Sequence, residues 1–414
     1  MSEKPEYQES RDENVVHTVR SLRELIDIVT GKNFQPNAEP ADSGLAEILP
    51  FPFLALVGQE EMKLALLLSI INPLVNGVLL IGPRGTGKTT AVRSLIHLLP
   101  DVQRSNCFLG CLPEDIETGG IDAVCPDCAR KYAEGIPLTR QDRVRLIELP
   151  LNATLEAVIG GMDENALSQN RMLIRRGILA QADLNVLYID EVNLLDSAII
   201  NAILDAASAG TYTVRNEKFS ATYRSRFTLI GSMNPEEGNL RPQIMDRFGL
   251  RVLVKGLEDH EERLEAYRRS RAYRLNPRAT VQQYQEETMR AREEIIAAKE
   301  LLPFVEIPPK VAHLGIQMIR HLNIDSIRAE ITLLEAARAF AAADARTTVS
   351  EDDLRMVAPM ALRFRHSEFM LKYFEEQEKE DEALQKYIEQ CLSHPENPPE
   401  AYPPTHKTDE SKEK

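Results

Sequence analysis

Gly77-Val78-Leu79-Leu80-Ile81-Gly82-Pro83-Arg84-Gly85-Thr86-Gly87-Lys88-Thr89 is the run that decides the fold. Its first five residues read as a short buried strand. They lead straight into G-x-x-x-x-G-K-[ST], the phosphate-loop pattern. Thr90 to Leu99 then places Ala91, Leu95, Leu98 and Leu99 on one side of a helix. Strand, glycine loop and helix in this order make an anion cradle. The glycines let backbone N–H groups turn toward phosphate, and the helix N-terminus adds positive potential. The expected nucleotide contacts are therefore Gly82, Pro83, Arg84, Gly85, Thr86, Gly87, Lys88, Thr89 and Thr90. Lys88 is expected on the β- and γ-phosphates and the Thr89 hydroxyl on magnesium.

About 100 residues downstream, Val186-Leu187-Tyr188-Ile189 ends in Asp190-Glu191. Adjacent carboxylates at a strand end suit two separate jobs. Asp190 is expected to hold the magnesium, and Glu191 to polarise the attacking water. A third strand, Phe227 to Met233, ends at Asn234-Pro235. Asn234 is expected to orient water near the γ-phosphate, against the plainer reading of a turn residue before proline. Parallel strands of such sheets bring their C-terminal ends to one crevice, which favours the functional role. The expected class is α/β, a parallel sheet flanked by helices.

Composition narrows the setting. The 414 residues carry 49 Lys+Arg against 64 Asp+Glu, a net charge of −15, with a pI near 5.2. That balance argues against nucleic acid as a partner, because phosphate affinity rests on clustered cations. No run of about 18 uncharged apolar residues appears, so no membrane span is expected, and the charged first residues lack a signal-peptide core. The expectation is a soluble cytoplasmic protein. From His366 to Lys414 there are 13 acidic and 6 basic side chains, so nearly half the net charge sits in this segment. It opens as a candidate helix, 369–391, and decays into a Pro-rich polar tail. Val15 to Val29 is a second helical candidate, ahead of a loop with Pro36, Pro40 and Gly44.

Four cysteines are not required by the nucleotide chemistry. Cys107-x3-Cys111 and Cys125-x2-Cys128 lie between the phosphate-loop helix and a strand expected near Arg143 to Leu149. Four thiols in a 22-residue window fit a tetrahedral zinc site. A thiol–disulfide switch and unliganded or cluster-bound cysteines remain alternatives. Leu112 to Glu117 and Gly119-Gly120 read as loop. Cys391 and the eight histidines show no ligand pattern.

The chain resembles the AAA+ ATPases, and within them the I subunit of magnesium chelatase, the ATPase motor of porphyrin metallation. The resemblance lies in Phe51-Pro52-Phe53 and Val57-Gly58-Gln59-Glu60-Glu61-Met62-Lys63, in Leu149 to Thr154, and in Ile189-Asp190-Glu191-Val192-Asn193-Leu194-Leu195-Asp196. It continues through Asn234-Pro235-Glu236-Glu237-Gly238-Asn239-Leu240-Arg241-Pro242-Gln243, Asp246-Arg247-Phe248-Gly249 and Ile327-Arg328-Ala329-Glu330 to Ala339. It spans roughly residues 50 to 365. The resemblance implies that Arg247 is an arginine finger reaching a neighbouring subunit's ATP, and that Arg328 is the second sensor arginine on a helical lid. It also implies that Gly58 and Gln59 belong to a nucleotide-recognition segment. A finger acting between subunits implies a ring, by family analogy a hexamer. Implied partners are a bridging subunit with an adhesion-type domain and a porphyrin-binding subunit. This chain lacks the Asp-x-Ser-x-Ser pattern of the bridging subunit. A MoxR-like assembly chaperone is the alternative, and a nucleic-acid remodelling ATPase a weaker third. The expected layout is an extension at 1–49, an AAA+ α/β domain at 50–302 carrying the cysteine insert 107–128, an all-α lid at 303–365, and the tail at 366–414.

Overall fold

The computed structural model describes residues 49–107, 109–162, 174–216 and 219–366. The helical candidates 15–29 and 369–391 lie outside them. Five strands make the main sheet: β1 (Val78–Ile81), β2 (Leu146–Leu149), β3 (Val186–Ile189), β4 (Thr228–Met233) and β5 (Leu250–Leu253). Their spatial order is β5-β1-β4-β3-β2, and every pairing is parallel. β1 and β3 read Val-Leu-Leu-Ile and Val-Leu-Tyr-Ile and are buried at every position. Continuous apolar runs of this kind mark strands covered on both faces.

The period of two divides each strand between two cores. Val78 and Leu80, with Val186 and Tyr188, face the helix Glu60–Ile71 (α1) and the phosphate-loop helix Lys88–Ser94 (α2). Leu79 and Ile81, with Leu187 and Ile189, face the helix Ser197–Ala209 (α3). α3 begins at Ser197, two residues after Leu195. Its Asp196 cap accepts the Ala198 N–H at 2.7 Å, which fixes the start at Ser197. Gly210, at φ +67°, ends it and turns the chain into a hairpin, Thr211–Asn216 with Phe219–Arg224. The stretch after Leu151 forms a short helix, Leu155–Ile159, and an antiparallel pair, Gly160–Met162 with Ile174–Arg176.

Beyond β5 come two long helices, α4 (His260–Leu275) and α5 (Gln285–Leu301), with a short one, Pro277–Gln283, between them. Three more follow: α6 (Pro309–His321), α7 (Ile327–Ala343) and α8 (Glu351–Leu362). The connection between α5 and α6 is tied down, since Glu306 bridges Thr348, with Glu306 N–H donating to Thr347 O at 2.9 Å. In the lid, Val311, Ile319 and Ala337 are buried, whereas Ile316 and Ile331 are exposed. α7 also buries Ala329, Thr332, Leu333 and Ala336, and Ala329, Leu333 and Ala336 share one core with α1 and the sheet. α5, on the sheet side of the expected boundary at 302, packs against α7 as well as α1. No helix among the described residues is long and apolar enough to cross a membrane.

Candidate nucleotide-binding site

The phosphate loop bridges the end of β1 and the start of α2. Gly82 N–H continues the sheet ladder onto Met233 O at 3.1 Å. A Cβ on Gly82 would lie 2.0 Å from Val254 O, so only glycine lets the loop leave between β4 and β5. Gly85 and Gly87, at φ +80° and +88°, open the loop, and a Cβ at either would meet nothing within 4 Å. Lys88 Nζ donates to the Gly82 and Pro83 carbonyls at 2.6 and 2.7 Å. Partial burial holds its ammonium below the usual lysine range, against the pull of Asp190, Glu237 and Glu191.

Three strand ends supply the acidic side. Asp190 follows β3. Its Oδ2 accepts the Thr89 hydroxyl at 3.2 Å, while its Oδ1 accepts the Tyr188 hydroxyl at 2.9 Å and the Ser232 hydroxyl. Hydroxyls from β3, β4 and α2 thus fix this carboxylate beside Thr89. Burial pushes the Tyr188 hydroxyl well above the usual tyrosine range, so it stays a donor. Glu191, at φ +52°, sits in the left-handed region, with its N–H 3.3 Å from Ser232 Oγ. A non-glycine residue held there is strained, and such strain gathers at functional turns.

Glu191 and Asn234 are joined by two residues that the motif reading did not place in this role. Arg84 Nη2 lies 3.2 Å from Glu191 Oε1, and its Nε lies 2.5 Å from Glu237 Oε1. Asn234 Nδ2 donates to the same Glu237 oxygen at 3.0 Å, and Asn234 Oδ1 accepts the Glu236 N–H at 3.3 Å. Asn234 is buried at the end of β4. The result is a chain, Asn234–Glu237–Arg84–Glu191. The bond from Asn234 first, and then Arg84, hold the Glu237 carboxyl below its ordinary value. The signal for Glu237 in the sequence was its place three residues after Asn234, with a 3-10 turn between them.

Two adjoining clefts of about 580 and 430 Å³ share Arg84 to Gly87 and Thr90. The smaller adds Lys88, Thr89, Asp190, Glu191 and Asn234, so the three strand ends and the loop face one space. The larger is walled by Phe51, Gln59, Leu257, Arg263 and Ala266. Gln59 is held at the mouth by its Nε2, which donates to Lys255 O at 2.6 Å. Gly58, at φ +59°, supports the same turn, where a Cβ would fall 2.6 Å from Leu257 Cδ2. Ser270 lines both clefts and Arg274 the smaller. All of α4's contributions escaped the sequence reading, because this helix has no buried residue and no apolar stripe.

Neither Arg247 nor Arg328 lines these clefts. Arg247 pairs with Asp205 of α3. Arg328, at the start of α7, lies 3.5 Å from Asp246. Asp246 also receives Arg365 at 2.6 Å and Arg251 at 3.3 Å. Burial, and then Arg365 beside it, push the Arg251 guanidinium down to about 10. Arg247 and Arg328 are each held by a carboxylate outside the cleft lining, Arg247 by Asp205 and Arg328 by Asp246.

The cysteine insert lies apart from this site. Its four sulfurs are all within 4.8 Å of one another. The segment expected as loop contains a helix, Pro113–Gly119, capped by Asp115, whose carboxylate accepts the Leu112 N–H at 2.8 Å. Pro113 at the first helical position and acids in the first turn explain it. Burial pushes the Cys107 thiol up, but hydrogen bonds from the Leu109 N–H and neighbouring thiols outweigh it and bring it to about 7.

Comparison with known proteins adds independent findings. The family model described as magnesium chelatase, subunit ChlI, matches residues 53–247, and one for the AAA lid domain matches 317–387. The magnesium-chelatase subunit ChlI homolog of Methanocaldococcus jannaschii is 42% identical over 340 residues, covering 82% of this chain and 90% of that protein. The magnesium-chelatase 38 kDa subunit of Acidiphilium rubrum is 41% identical over 76% of this chain and 90% of its own length. A chain from a solved complex of magnesium chelatase subunits BchI and BchD is 40% identical over 77% of this chain and 96% of its own, with a TM-score of 0.44.

Proposed function

Because the chain belongs to the family of magnesium chelatase subunit ChlI, we propose that it is the ATP-hydrolysing motor of a chelatase. It would drive magnesium insertion into protoporphyrin IX together with a bridging subunit and a porphyrin-binding subunit. The observation that carries this reading is the convergence of the loop Gly82–Thr89 with Asp190, Glu191 and Asn234 on one cleft at the ends of β1, β3 and β4. Glycines open to the cleft, a lysine and a helix N-terminus fit a nucleoside triphosphate. The Thr89 hydroxyl and Asp190 carboxylate, 3.2 Å apart, offer the hard oxygen ligands that suit magnesium. Bound there, the ion would neutralise charge on the β- and γ-phosphate oxygens.

In this reading Lys88 leaves its loop carbonyls to bind phosphate. Glu191 accepts a proton from the water that attacks the γ-phosphorus, the bond to the β,γ-bridging oxygen breaks, and ADP and phosphate leave. Asn234, fastened to Glu191 through Glu237 and Arg84, would report the γ-phosphate to the catalytic carboxylate. Gln59 and the α4 side chains would hold the base and ribose. Arg247, which does not line its own chain's clefts, would complete a neighbouring subunit's site, which requires a ring, a hexamer by family analogy and cytoplasmic in this proposal, and Arg328 would serve as the lid's second sensor arginine. The division at 302/303 into α/β and lid parts belongs to the same proposal.

The test is reconstitution with active bridging and porphyrin-binding subunits. Wild type should support ATP-dependent magnesium insertion, and the Lys88→Ala variant should not. ATP hydrolysis without insertion would sink the chelatase reading and leave the MoxR-like chaperone.

A further inference from the structure

We propose that Cys107, Cys111, Cys125 and Cys128 bind one zinc ion as four thiolates, and that this ion orders an insert to which the 211–224 hairpin is fastened. Around a tetrahedral ion with Zn–S bonds of about 2.3 Å, the six sulfur–sulfur separations are about 3.8 Å. The four sulfurs here all lie within 4.8 Å of one another, and Cys107 and Cys125 are 3.7 Å apart. A structural disulfide would bring one pair to about 2 Å and turn the other sulfurs away, whereas here each has three near neighbours. An iron–sulfur cubane would spread its cysteine sulfurs beyond this spacing, because the cluster's own atoms separate them.

The surroundings favour thiolates held closed. Backbone N–H groups of Leu109 and Cys125 point at the sulfurs of Cys107 and Cys111, at 3.3 and 3.4 Å. Such donors stabilise ligating sulfur and fix its direction. Cys111 and Cys128 are buried and Cys107 and Cys125 half-buried, which leaves no open coordination position of the catalytic kind. Cys125 stands just before the helix Pro126–Ala133 and Cys128 lies in its first turn, so one helix start presents both sulfurs to one point.

The ion also answers a packing question. The insert's own core holds Val124, Leu138, Ile116 and Ala129 besides the cysteines, and it is separate from both cores of the main sheet. So small an apolar cluster does not order 30 residues alone, and metal is the usual substitute. Arg224, from the hairpin, donates to Gly110 O at 2.8 Å and pairs with Asp115. Gly110 and Asp115 flank Cys111, so the site's geometry is passed to the hairpin through one guanidinium.

Metal analysis of the full chain purified without chelator tests this. One zinc per chain is expected, released stoichiometrically as a mercurial titrates the chain's five thiols, four of them the ligands. Less than about 0.2 zinc per chain, iron in its place, or a disulfide among the four cysteines would overturn the site. A Cys107→Ser, Cys125→Ser variant should lose the zinc. If it fails to fold, the mercurial release on wild type decides alone. Arg224→Ala should keep the zinc while trypsin cuts the hairpin at least tenfold faster. Unchanged cleavage would overturn the fastening and leave the zinc site standing.

Discussion

At the residue scale, Asp246-Arg247-Phe248-Gly249 shows how four neighbours serve four ends. Asp246 collects Arg251, Arg328 and Arg365, and Arg247 turns to Asp205. Phe248 is fully buried, with its ring 3.1 Å from the place a Cβ on Gly231 would take. Gly249 passes so close to Val75 that a Cβ would lie 1.6 Å from its carbonyl oxygen. Gly249→Ala should therefore destabilise the fold by about 1–3 kcal/mol or more, read as a lowered midpoint in urea. In the site, Glu237→Gln weakens the link between Asn234 and Arg84. It should lower kcat about tenfold with KM for ATP little changed, because it positions groups instead of binding phosphate. A changed KM with kcat intact would count against the relay. Motif spacing made Lys88, Asp190 and Glu191 legible. Arg84 and Glu237 were visible only as letters of a pattern, since their meeting depends on how two loops face each other.

At the element scale, the strands were legible because burial on both faces leaves continuous apolar runs. The helix at Pro113 was not, since its residues are mostly polar and none is fully buried; it is held by its cap and by Ile116 packing into the insert. α8 shows a cap whose value can be measured. Ser350 Oγ accepts the Asp353 N–H at 3.3 Å, and Asp353 accepts the Ser350 N–H at 2.8 Å and two bonds from Arg346. Ser350→Ala should cost about 1 kcal/mol. Burial pushes the Asp353 carboxyl up, but Arg346 and the Ser350 bonds outweigh it and hold it below 3.8, its ordinary value. A carboxyl depressed on folding stabilises fully above its unfolded pKa and loses that contribution as pH falls through the folded value. The thermal midpoints of wild type and Asp353→Asn should thus differ at neutral pH and converge only in acid below that value. A gap that persists unchanged there would point to packing instead of charge.

At the scale of the whole molecule, Asp246 joins the sheet to the lid. Arg251 belongs to β5, Arg328 and Ser326 to the start of α7, and Arg365 follows α8. Removing the one carboxylate leaves buried arginines uncompensated, so Asp246→Ala should cost about 3–5 kcal/mol. Double mutation with Arg365→Met should recover part of the loss. The proposed exchange of Arg247 between subunits has its own test. Lys88→Ala and Arg247→Ala variants, each inactive, should regain about a quarter of wild-type ATPase when mixed in equal amounts, since that share of random interfaces joins an intact loop to an intact finger. No recovery after subunit exchange would place Arg247 in its own chain's chemistry.

The sequence alone determined the nucleotide cradle, the parallel strands and the family. Those rest on local rules: glycines where the backbone must turn toward an anion, apolar runs where a strand is covered twice, and a fixed order of motifs. Tertiary structure alone decided what long-range contacts decide. It set the lid's core residues against α1 and the sheet, and gave the largely polar α4 a wall of the cleft. It also drew Asn234 to Glu191 through Arg84 and Glu237, and gathered four sulfurs from two distant pairs to one point. A one-dimensional pattern records which face of an element is apolar, but not which neighbour will cover it.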